Sequence, residues 1–191
     1  MKRRGHDPES VLRIAVGVFN ERGYDGTSME DLARALGVTK SAIYYHVPGK
    51  EQLLGRVLDV ALDGLFTMIA DPRASTGRAI TRLEWVVRQS VTILVDRLPY
   101  VKVLLRVHGN SPTETRALER RREFDRFISA LVKEAAGDGD LRGDVDPALA
   151  TRLLFGTVNS IAEWYQPERG GSAEQLADAV LKLTFDGLRV P

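Results

Sequence analysis

The chain has 191 residues, 43% of them hydrophobic, which is enough to bury the core of one medium domain or of a small module joined to a larger one. It contains no cysteine, which excludes disulfides, cysteine nucleophiles and thiolate metal sites. Its 27 basic and 26 acidic residues nearly cancel, so net charge alone neither requires nor excludes a nucleic-acid partner.

No segment predicts export or membrane insertion. The first ten residues, MKRRGHDPES, are basic but lead into no apolar stretch, so we expect no signal peptide. No run approaches the roughly 18 consecutive apolar residues that a membrane span needs. We therefore expect a cytoplasmic protein that does not enter a membrane.

The N-terminal quarter of the chain predicts three short helices. From residue 8 to 22 the apolar residues recur at three-four spacing, which is typical of an amphipathic helix. Thr27, with Glu30 three positions later, predicts a capping box at the start of a second helix. Thr39 is the predicted N-cap of a third helix, which runs from residue 40 to about 46 and ends before a Pro-Gly break.

The rest of the chain is predicted to be helical as well. The predicted helices are one long helix from about 50 to 70, two buried helices within 79–108 divided around Leu98-Pro99, and three more at about 113–136, 147–165 and 173–188. We find no internal repeat and no credible strand. The sequence therefore predicts an all-α fold of about nine helices.

The second and third helices have the spacing of a helix-turn-helix. Ala33 is small enough for two helices to cross closely, and Gly37 accepts the positive φ of the sharp turn. Ile43 and Val47 share one side of the third helix and are predicted to be buried. The opposite side of that helix then faces outward.

That outward side suits the major groove of DNA. Lys40 can donate to guanine acceptors, Ser41 can pair with either kind of base edge, and Tyr44 or Tyr45 can contact a thymine methyl or a phosphate. Lys50, at the start of the fourth helix, lies where a charge and free backbone amides can reach the phosphate backbone.

Residues 9–54 resemble the DNA-binding domain of the TetR family of transcriptional regulators. The segment AVGVFNERGYDGTSMEDLARALGVTKSAIYYHVPGKEQLL carries the resemblance, with valine at 47 where phenylalanine is usual and Pro-Gly in place of a polar pair at 48–49. The resemblance implies base contacts by Lys40, Ser41 and Tyr44. It implies phosphate contacts by Thr27, Ser28, Thr39, Tyr45, His46 and Lys50. Arg3 and Arg4 are expected to reach a minor groove as a flexible arm.

The family layout also implies the organisation of the whole chain. We expect a three-helix DNA-binding domain over residues 1–50 and a helical effector-binding and dimerisation domain over 51–191. The implied function is that of a homodimeric repressor, which leaves a palindromic operator when an effector shifts the fourth helix. Helices eight and nine carry apolar residues on two sides and should form the dimer, through Leu149, Leu153, Gly156, Val180 and Phe185.

The effector is expected to be a mostly apolar molecule bound among helices four to eight. Apolar residues predicted to line its site are Phe66, Trp85, Leu105, Phe124 and Phe127, and the polar residues that could orient it are Gln89, Arg106, His108 and Asn159. The segment LLFGTVNSIAEWYQPERGG resembles the matching helix of acyl-CoA-responsive regulators, except that Ser160 and Gln166 replace a usual tryptophan and arginine. An acyl-CoA is therefore the first expectation, and a lipid-like or aromatic molecule the second.

The sequence gives less support to other kinds of site. The segment DGDLRGDVD resembles a calcium loop, but Arg142 and Leu149 stand where oxygen ligands are needed. The three histidines lack metal-ligand spacing, so no metal site is expected. The arginines around Arg120 could form an anion site or a second nucleic-acid patch, although interleaved acidic residues favour a solvated, salt-bridged face.

Neither an enzyme nor a cofactor is expected. The sequence contains no glycine-rich phosphate loop, nucleophile elbow or paired metal-ligand motif. The alternative function is that of an architectural DNA-binding protein without an effector. Such a protein would not need more than a hundred residues of helical domain beyond its DNA-binding module.

Overall fold

The computed structural model describes residues 7–188, apart from the side chains of His46, Gly187 and Leu188. Over these residues the chain is all-α, which confirms the predicted fold class. Its nine α-helices are α1 (Pro8–Arg22), α2 (Met29–Leu36), α3 (Lys40–His46), α4 (Lys50–Ile69), α5 (Ala79–Asp96), α6 (Leu98–Leu105), α7 (Pro112–Gly137), α8 (Pro147–Trp164) and α9 (Ala173–Leu188). A one-turn 3-10 helix, Pro72–Ala74, lies between α4 and α5. None of the described helices is long and apolar enough to span a membrane.

The chain forms two compact units. Unit 1 comprises the residues up to Ala61 together with Pro99–Leu118, and unit 2 comprises Leu62–Leu98 together with the residues from Glu119 onward. Thus α6 and the first turns of α7 pack with the N-terminal helices, which a single division of the chain at residue 50 does not describe. The functional division at residue 50 remains a proposal.

Hydrogen bonds tie α6 and α7 to the N-terminal helices inside unit 1. The Asn20 side chain donates to the Pro99 carbonyl at 2.8 Å, and Arg106 donates back to the Asn20 carbonyl at 3.1 Å. The Thr113 hydroxyl donates to the Glu51 carboxylate at 2.9 Å. The start of α4 is therefore attached to the start of α7.

The core of unit 1 is built from the apolar sides of α1 to α4. Helix α2 packs against both α1 and α3. The buried side chains that hold this arrangement are Val11, Ala15, Val16, Phe19, Leu32, Leu36, Ile43, Val47, Leu53, Leu54 and Val57. Burial of each valine, leucine, isoleucine or phenylalanine side chain among them contributes about 1.5–3 kcal/mol to the stability of the module.

The N-terminus of α2 corrects the predicted capping box by one residue. Ser28, rather than Thr27, is the N-cap, and its partner is Asp31 rather than Glu30. The Ser28 hydroxyl accepts from the Asp31 amide at 3.1 Å, while the Asp31 carboxylate accepts from the Ser28 amide at 3.0 Å. The spacing alone allowed either pair, and the tertiary burial of Thr27 decided between them.

Unit 2 is assembled around α5. This helix packs against α8, α9 and the 3-10 turn, and α8 also packs against α9. Its buried apolar residues recur at three-four spacing and therefore share one side of the helix, so the expected burial on nearly every side is corrected: Ala79, Ile80, Leu83, Val86, Val87, Val91 and Leu94. The Asp146 carboxylate caps α8 by accepting from the Leu149 amide at 2.9 Å, and Pro147 occupies the first turn.

Candidate nucleic-acid interface

The turn between α2 and α3 has the geometry that a helix-turn-helix requires. Gly37 adopts a left-handed conformation with φ 67° and ψ 28°, and its amide donates to the Arg34 carbonyl. The Val38 amide donates to the Ala33 carbonyl, which closes the end of α2. Because Ala33 and Ile43 are both buried, α3 lies with one side against α2.

The opposite side of α3 is exposed, as predicted. Tyr45 is 95% exposed and Tyr44 is 48% exposed, although large aromatic side chains normally avoid water. Lys40 and Ser41 are exposed beside them. Charge, hydroxyl and aromatic groups therefore share one accessible helix face, whose contacts with DNA remain a prediction.

Two of the residues that were expected to contact DNA phosphates, Thr39 and Ser28, are helix N-caps. The Thr39 hydroxyl accepts from the Ala42 amide at 3.2 Å at the start of α3. Ser28 caps α2 as described above, and its hydroxyl also donates to the Asp31 carboxylate at 2.6 Å. Both side chains are exposed at helix N-termini, where free backbone amides favour an anion.

Thr27 does not fit the role expected of it. Its side chain is buried, with 3% exposure, and its hydroxyl donates to the Gly23 carbonyl at 2.6 Å. The hydroxyl is therefore committed inside unit 1 and cannot donate to a phosphate. Arg3 and Arg4 lie outside the described residues, as does the side chain of His46.

Lys50 is positioned by Tyr24, a residue for which the sequence predicted no role. Its ammonium group donates to the Tyr24 carbonyl at 2.9 Å and lies 4.2 Å from the centre of the Tyr24 ring. Burial raises the pKa of the Tyr24 hydroxyl, and the nearby Glu51 and Glu114 carboxylates raise it further. The tyrosine is part of the RGY pattern that contributed to the family resemblance, and its proximity to Lys50 depends on tertiary packing.

The residues expected to bind an effector are divided between the two compact units. Leu105, Arg106 and His108 belong to unit 1, and the other six belong to unit 2: Phe66, Trp85, Gln89, Phe124, Phe127 and Asn159. Arg106 and His108 line a cleft of about 260 Å³ with Phe19 and the loop that follows α1. Both are exposed, so their assignment as buried polar groups of an apolar cavity is corrected.

Several of the apolar candidates in unit 2 are covered by other side chains. Phe124 is buried and meets Phe155 edge to face at 5.3 Å. The Arg120 guanidinium lies 4.7 Å from the centre of the Phe66 ring, and Arg73 lies at the same distance from Trp85. Phe66 and Trp85 thus face cations at least as much as they face an apolar space.

Phe66 lines a cleft of unit 2 together with Asp63 and Thr67, and Asn159 lines a second cleft, between α7 and α8. The volume of this second cleft is about 520 Å³. The lining residues are Arg121, Arg122, Asp125, Arg126, Ser129, Ala148, Thr151, Arg152, Phe155, Gly156 and Asn159. Three of the arginines that were expected on a salt-bridged face therefore line a cleft together with Asn159.

The surface of α8 and α9 retains part of the expected dimer interface. Leu153 is 63% exposed, Leu149 is 49% exposed and Gly156 is exposed. Val180 and Phe185 are corrected, because they are buried inside unit 2 and present no surface to a partner. Two further exposed apolar side chains on these helices are Trp164 at 54% and Leu183 at 78%.

Two family models match the chain. The model of bacterial regulatory proteins of the tetR family matches residues 11–57, which contain the helix-turn-helix. The model of the tetracyclin repressor-like C-terminal domain matches residues 76–188. Together they cover most of both compact units.

Solved structures and curated relatives agree with the family models. A TetR transcriptional regulator family member from Streptomyces coelicolor A3 is 55% identical, with a TM-score of 0.90 over 97% of this chain and 94% of that one. The HTH-type transcriptional repressor KstR2 of Rhodococcus jostii is 28% identical over 95% of this chain and 90% of its own length. AibR, in complex with isovaleryl coenzyme A and operator DNA, is 27% identical with a TM-score of 0.79 over 93% of this chain and 97% of its own. The chain therefore belongs to the TetR family of DNA-binding transcriptional regulators, and it is not an enzyme.

Proposed function

We propose that this regulator is a homodimeric repressor that binds a palindromic operator and is released from it by a small hydrophobic effector, first of all an acyl-CoA thioester. The observation that carries the DNA-binding part is the exposed face of α3. A half-exposed Tyr44 beside Lys40 and Ser41 provides the donors and the apolar ring that base edges recognise. Operator DNA places the site of action in the cytoplasm.

The exposed apolar side chains of α8 and α9 support the dimer. Leu149, Leu153, Trp164 and Leu183 all lie on these two helices, and a cluster of this kind on a regulator is typical of a subunit interface. Two helices from each subunit would then bury one another in a four-helix arrangement. A two-fold dimer implies two half-sites about 34–36 Å apart, or a multiple of that distance.

An acyl-CoA effector is supported by the relatives and by the chemistry of unit 2. AibR is bound to isovaleryl coenzyme A and operator DNA, and it aligns with almost the whole chain. Unit 2 of the present chain contains a cleft whose lining combines four arginines with the aromatic ring of Phe155. A thioester with a phosphate-bearing end and an acyl end matches such a mixed lining better than an uncharged hydrophobe does.

The coupling between effector and DNA is proposed to pass through α4. This helix begins at Lys50 in unit 1 and ends at Ile69 in unit 2, so it belongs to both units. An effector that favours one position of α4 would change the separation of the two α3 helices. The dimer would then fit its two half-sites less well.

A gel-shift titration tests the proposal. The operator is first selected from random DNA with the full-length protein, and isovaleryl-CoA, longer acyl-CoAs, free coenzyme A and an uncharged fatty-acid ester are then added. Release of DNA by an acyl-CoA, together with a rise in the melting temperature of the protein, supports the proposal. Release by the uncharged ester alone would overturn the acyl-CoA assignment and favour a lipid-like or aromatic effector.

The second candidate function is that of an architectural DNA-binding protein without an effector. It is favoured only if selected DNA contains no common sequence and no added compound changes binding. The exposed α3 face argues against it, since sequence-independent binding relies on phosphate contacts rather than on an accessible aromatic and hydroxyl face.

A further inference from the structure

We propose that the cleft between α7 and α8 is a phosphate-binding site, in which Arg121, Arg122, Arg126 and Arg152 hold a ligand carrying two or more phosphate groups. This inference deepens the proposed function, because the ligand expected there is the phosphate-bearing end of the acyl-CoA effector. The assignment rests on how the arginines are placed, on the absence of an ion pair to any of them within residues 7–188, and on the rest of the lining.

The four arginines converge from two helices. On α7, Arg122 and Arg126 are four residues apart and so lie one turn above the other on one side of the helix. Arg152 approaches from α8, and all of them line the same cleft of about 520 Å³. This volume lies within the range of roughly 300–1,000 Å³ that is usual for small-molecule sites.

The protein neutralises only part of the positive charge of the cleft. None of the four arginines forms an ion pair within the residues that the structure describes, whereas Arg120 pairs with Asp63 at 2.8 Å and Arg142 pairs with Asp144 at 2.6 Å. Asp125 is the single acidic residue among those that line the cleft. Burial raises the pKa of its carboxyl group, against the opposing effect of the Arg121 and Arg152 charges.

Like charges at this spacing repel one another, so a bound anion would stabilise the cluster. Arginine is suited to phosphate because its planar guanidinium donates two parallel hydrogen bonds. Four guanidinium groups can donate more hydrogen bonds than a single carboxylate or monophosphate can accept. Their number therefore indicates a ligand with several phosphate oxygens.

The remaining lining explains why the ligand also has an apolar part. Phe155 lines the cleft and meets the buried Phe124 ring, so one wall continues into the apolar interior of unit 2. Gly156 also lines the cleft, and a Cβ atom built there meets no atom of the same chain within 4 Å. Asn159 supplies an amide that can bond to a carbonyl or hydroxyl group of the ligand.

Two sources of phosphate fit this chemistry: the adenosine 3′-phosphate and diphosphate of coenzyme A, and a free nucleotide. Calorimetric titration distinguishes them with three probes: isovaleryl-CoA, isovaleryl-pantetheine, which has no phosphate, and adenosine 3′,5′-bisphosphate. Three proteins are compared: the wild type, the double variant Arg122→Gln/Arg126→Gln, and the control double variant Lys133→Gln/Arg142→Gln. Both control positions lie outside the cleft lining. The control variant loses the same number of positive charges as the α7 variant.

We expect the double variant to bind isovaleryl-CoA at least tenfold more weakly than the wild type and isovaleryl-pantetheine equally well. The control should bind all three probes as the wild type does. Because the double variant changes only α7, its dimerisation and melting temperature serve as checks of folding. If it does not fold, Arg152→Gln and the salt dependence of wild-type binding replace it, with isovaleryl-CoA weakened by salt and isovaleryl-pantetheine unaffected.

The outcomes separate this inference from the proposed function. Equal affinity of the double variant and the wild type for isovaleryl-CoA overturns the phosphate site and leaves the acyl-CoA repressor standing. Binding of adenosine 3′,5′-bisphosphate that needs the α7 arginines, without any binding of isovaleryl-CoA, supports the site and overturns the acyl-CoA effector. Absence of binding by all three probes overturns both.

Discussion

Single side chains determine how α3 and its surroundings would meet DNA. Tyr45 and Tyr44 differ about twofold in exposed fraction, although they are neighbours on one short helix. Tyr45 stands almost free in solvent, while Tyr44 lies closer to the body of unit 1. The resemblance to the TetR family implies base contacts for Tyr44 and phosphate contacts for Tyr45.

Replacement of Tyr44 should reduce specificity. Tyr44→Ala removes a contact to base edges, so binding to the selected operator should weaken by about 1–3 kcal/mol and non-specific binding should weaken less. Tyr45→Ala is the matched control and should weaken both to a similar extent. Fluorescence anisotropy with the two DNAs measures the ratio, and an unchanged ratio in Tyr44→Ala would exclude its base-reading role.

Replacement of Lys50 should weaken all DNA binding. Lys50→Ala removes one phosphate contact, so affinity should fall for both DNAs and the slope of log affinity against log salt should decrease by about one. It also removes the hydrogen bond and ring contact to Tyr24, at a cost of about 1 kcal/mol in stability. A Tyr24→Leu variant should lose stability but keep the salt slope. An unchanged slope in Lys50→Ala would show that Lys50 does not contact phosphate.

At the scale of elements, the helix-turn-helix depends on how α2 begins and ends. Its first turn is closed by the reciprocal bonds of Ser28 and Asp31, and its last turn by the left-handed Gly37. Hydrophobic packing against α1 and α3 then sets the direction of the helix. The capping groups contribute little surface, so their effect on stability can be measured without changing the core.

Gly37, which ends α2, and Gly17, which lies within α1, should respond oppositely to replacement by alanine. Gly37→Ala should destabilise the protein by about 1–2 kcal/mol, since φ is 67° and the strain is purely in the backbone with no atom near the added Cβ. Gly17, exposed in the middle of α1, also has open space around it, and Gly17→Ala should stabilise by about 0.5–1 kcal/mol. Urea unfolding at pH 7 measures both changes. Two changes of the same sign would contradict this account of the turn.

The Asp31 cap should make stability depend on pH in the acid range. Hydrogen bonds from the Ser28 hydroxyl and amide lower the pKa of Asp31 below its usual 3.8, and the charges of Arg22 and Arg34 lower it further. The ionised carboxylate therefore stabilises the fold above the unfolded pKa, and this stabilisation is lost as the pH falls through the lowered value. Asp31→Asn should be less stable than the wild type at pH 7, with a smaller difference at pH 3. Ser28→Ala should reduce the same pH dependence, and a difference that stays constant with pH would refute this role of the cap.

At the scale of the whole molecule, the two compact units share α4 and α7. Each helix contributes residues to both units, because the boundaries fall at Ala61 and Leu118 within them. Unit 1 contains α3 with its exposed tyrosines, while unit 2 contains the arginine-lined cleft and the exposed apolar residues of α8 and α9.

Disruption of the α8 and α9 surface should produce monomers. Leu153→Arg and Leu183→Arg each introduce a charge at an exposed apolar position, so the dimer should dissociate at micromolar concentration while the fold persists. Thr81→Arg, at an exposed position of α5, is the control. Analytical ultracentrifugation measures the mass. A wild-type protein that is monomeric at this concentration would remove the interface and the operator symmetry together.

Much of the fold could be predicted from the sequence because its signals are local. Helical periodicity, glycine stops and cap residues act within a few positions, and the predicted helices lie within about three residues of those observed. The outward face of α3 followed in the same way from the burial of Ile43 and Val47. These properties depend on neighbours along the chain, so the sequence by itself determined them.

The tertiary structure alone decided which distant residues meet. Val180 and Phe185 are buried because α9 turns them into unit 2, and periodicity cannot say which of two apolar sides faces the core. Arg152 joins the α7 arginines, and Lys50 meets Tyr24, across separations that no local pattern encodes. Such contacts depend on how whole helices pack, which is set by the summed burial of many side chains rather than by any one motif.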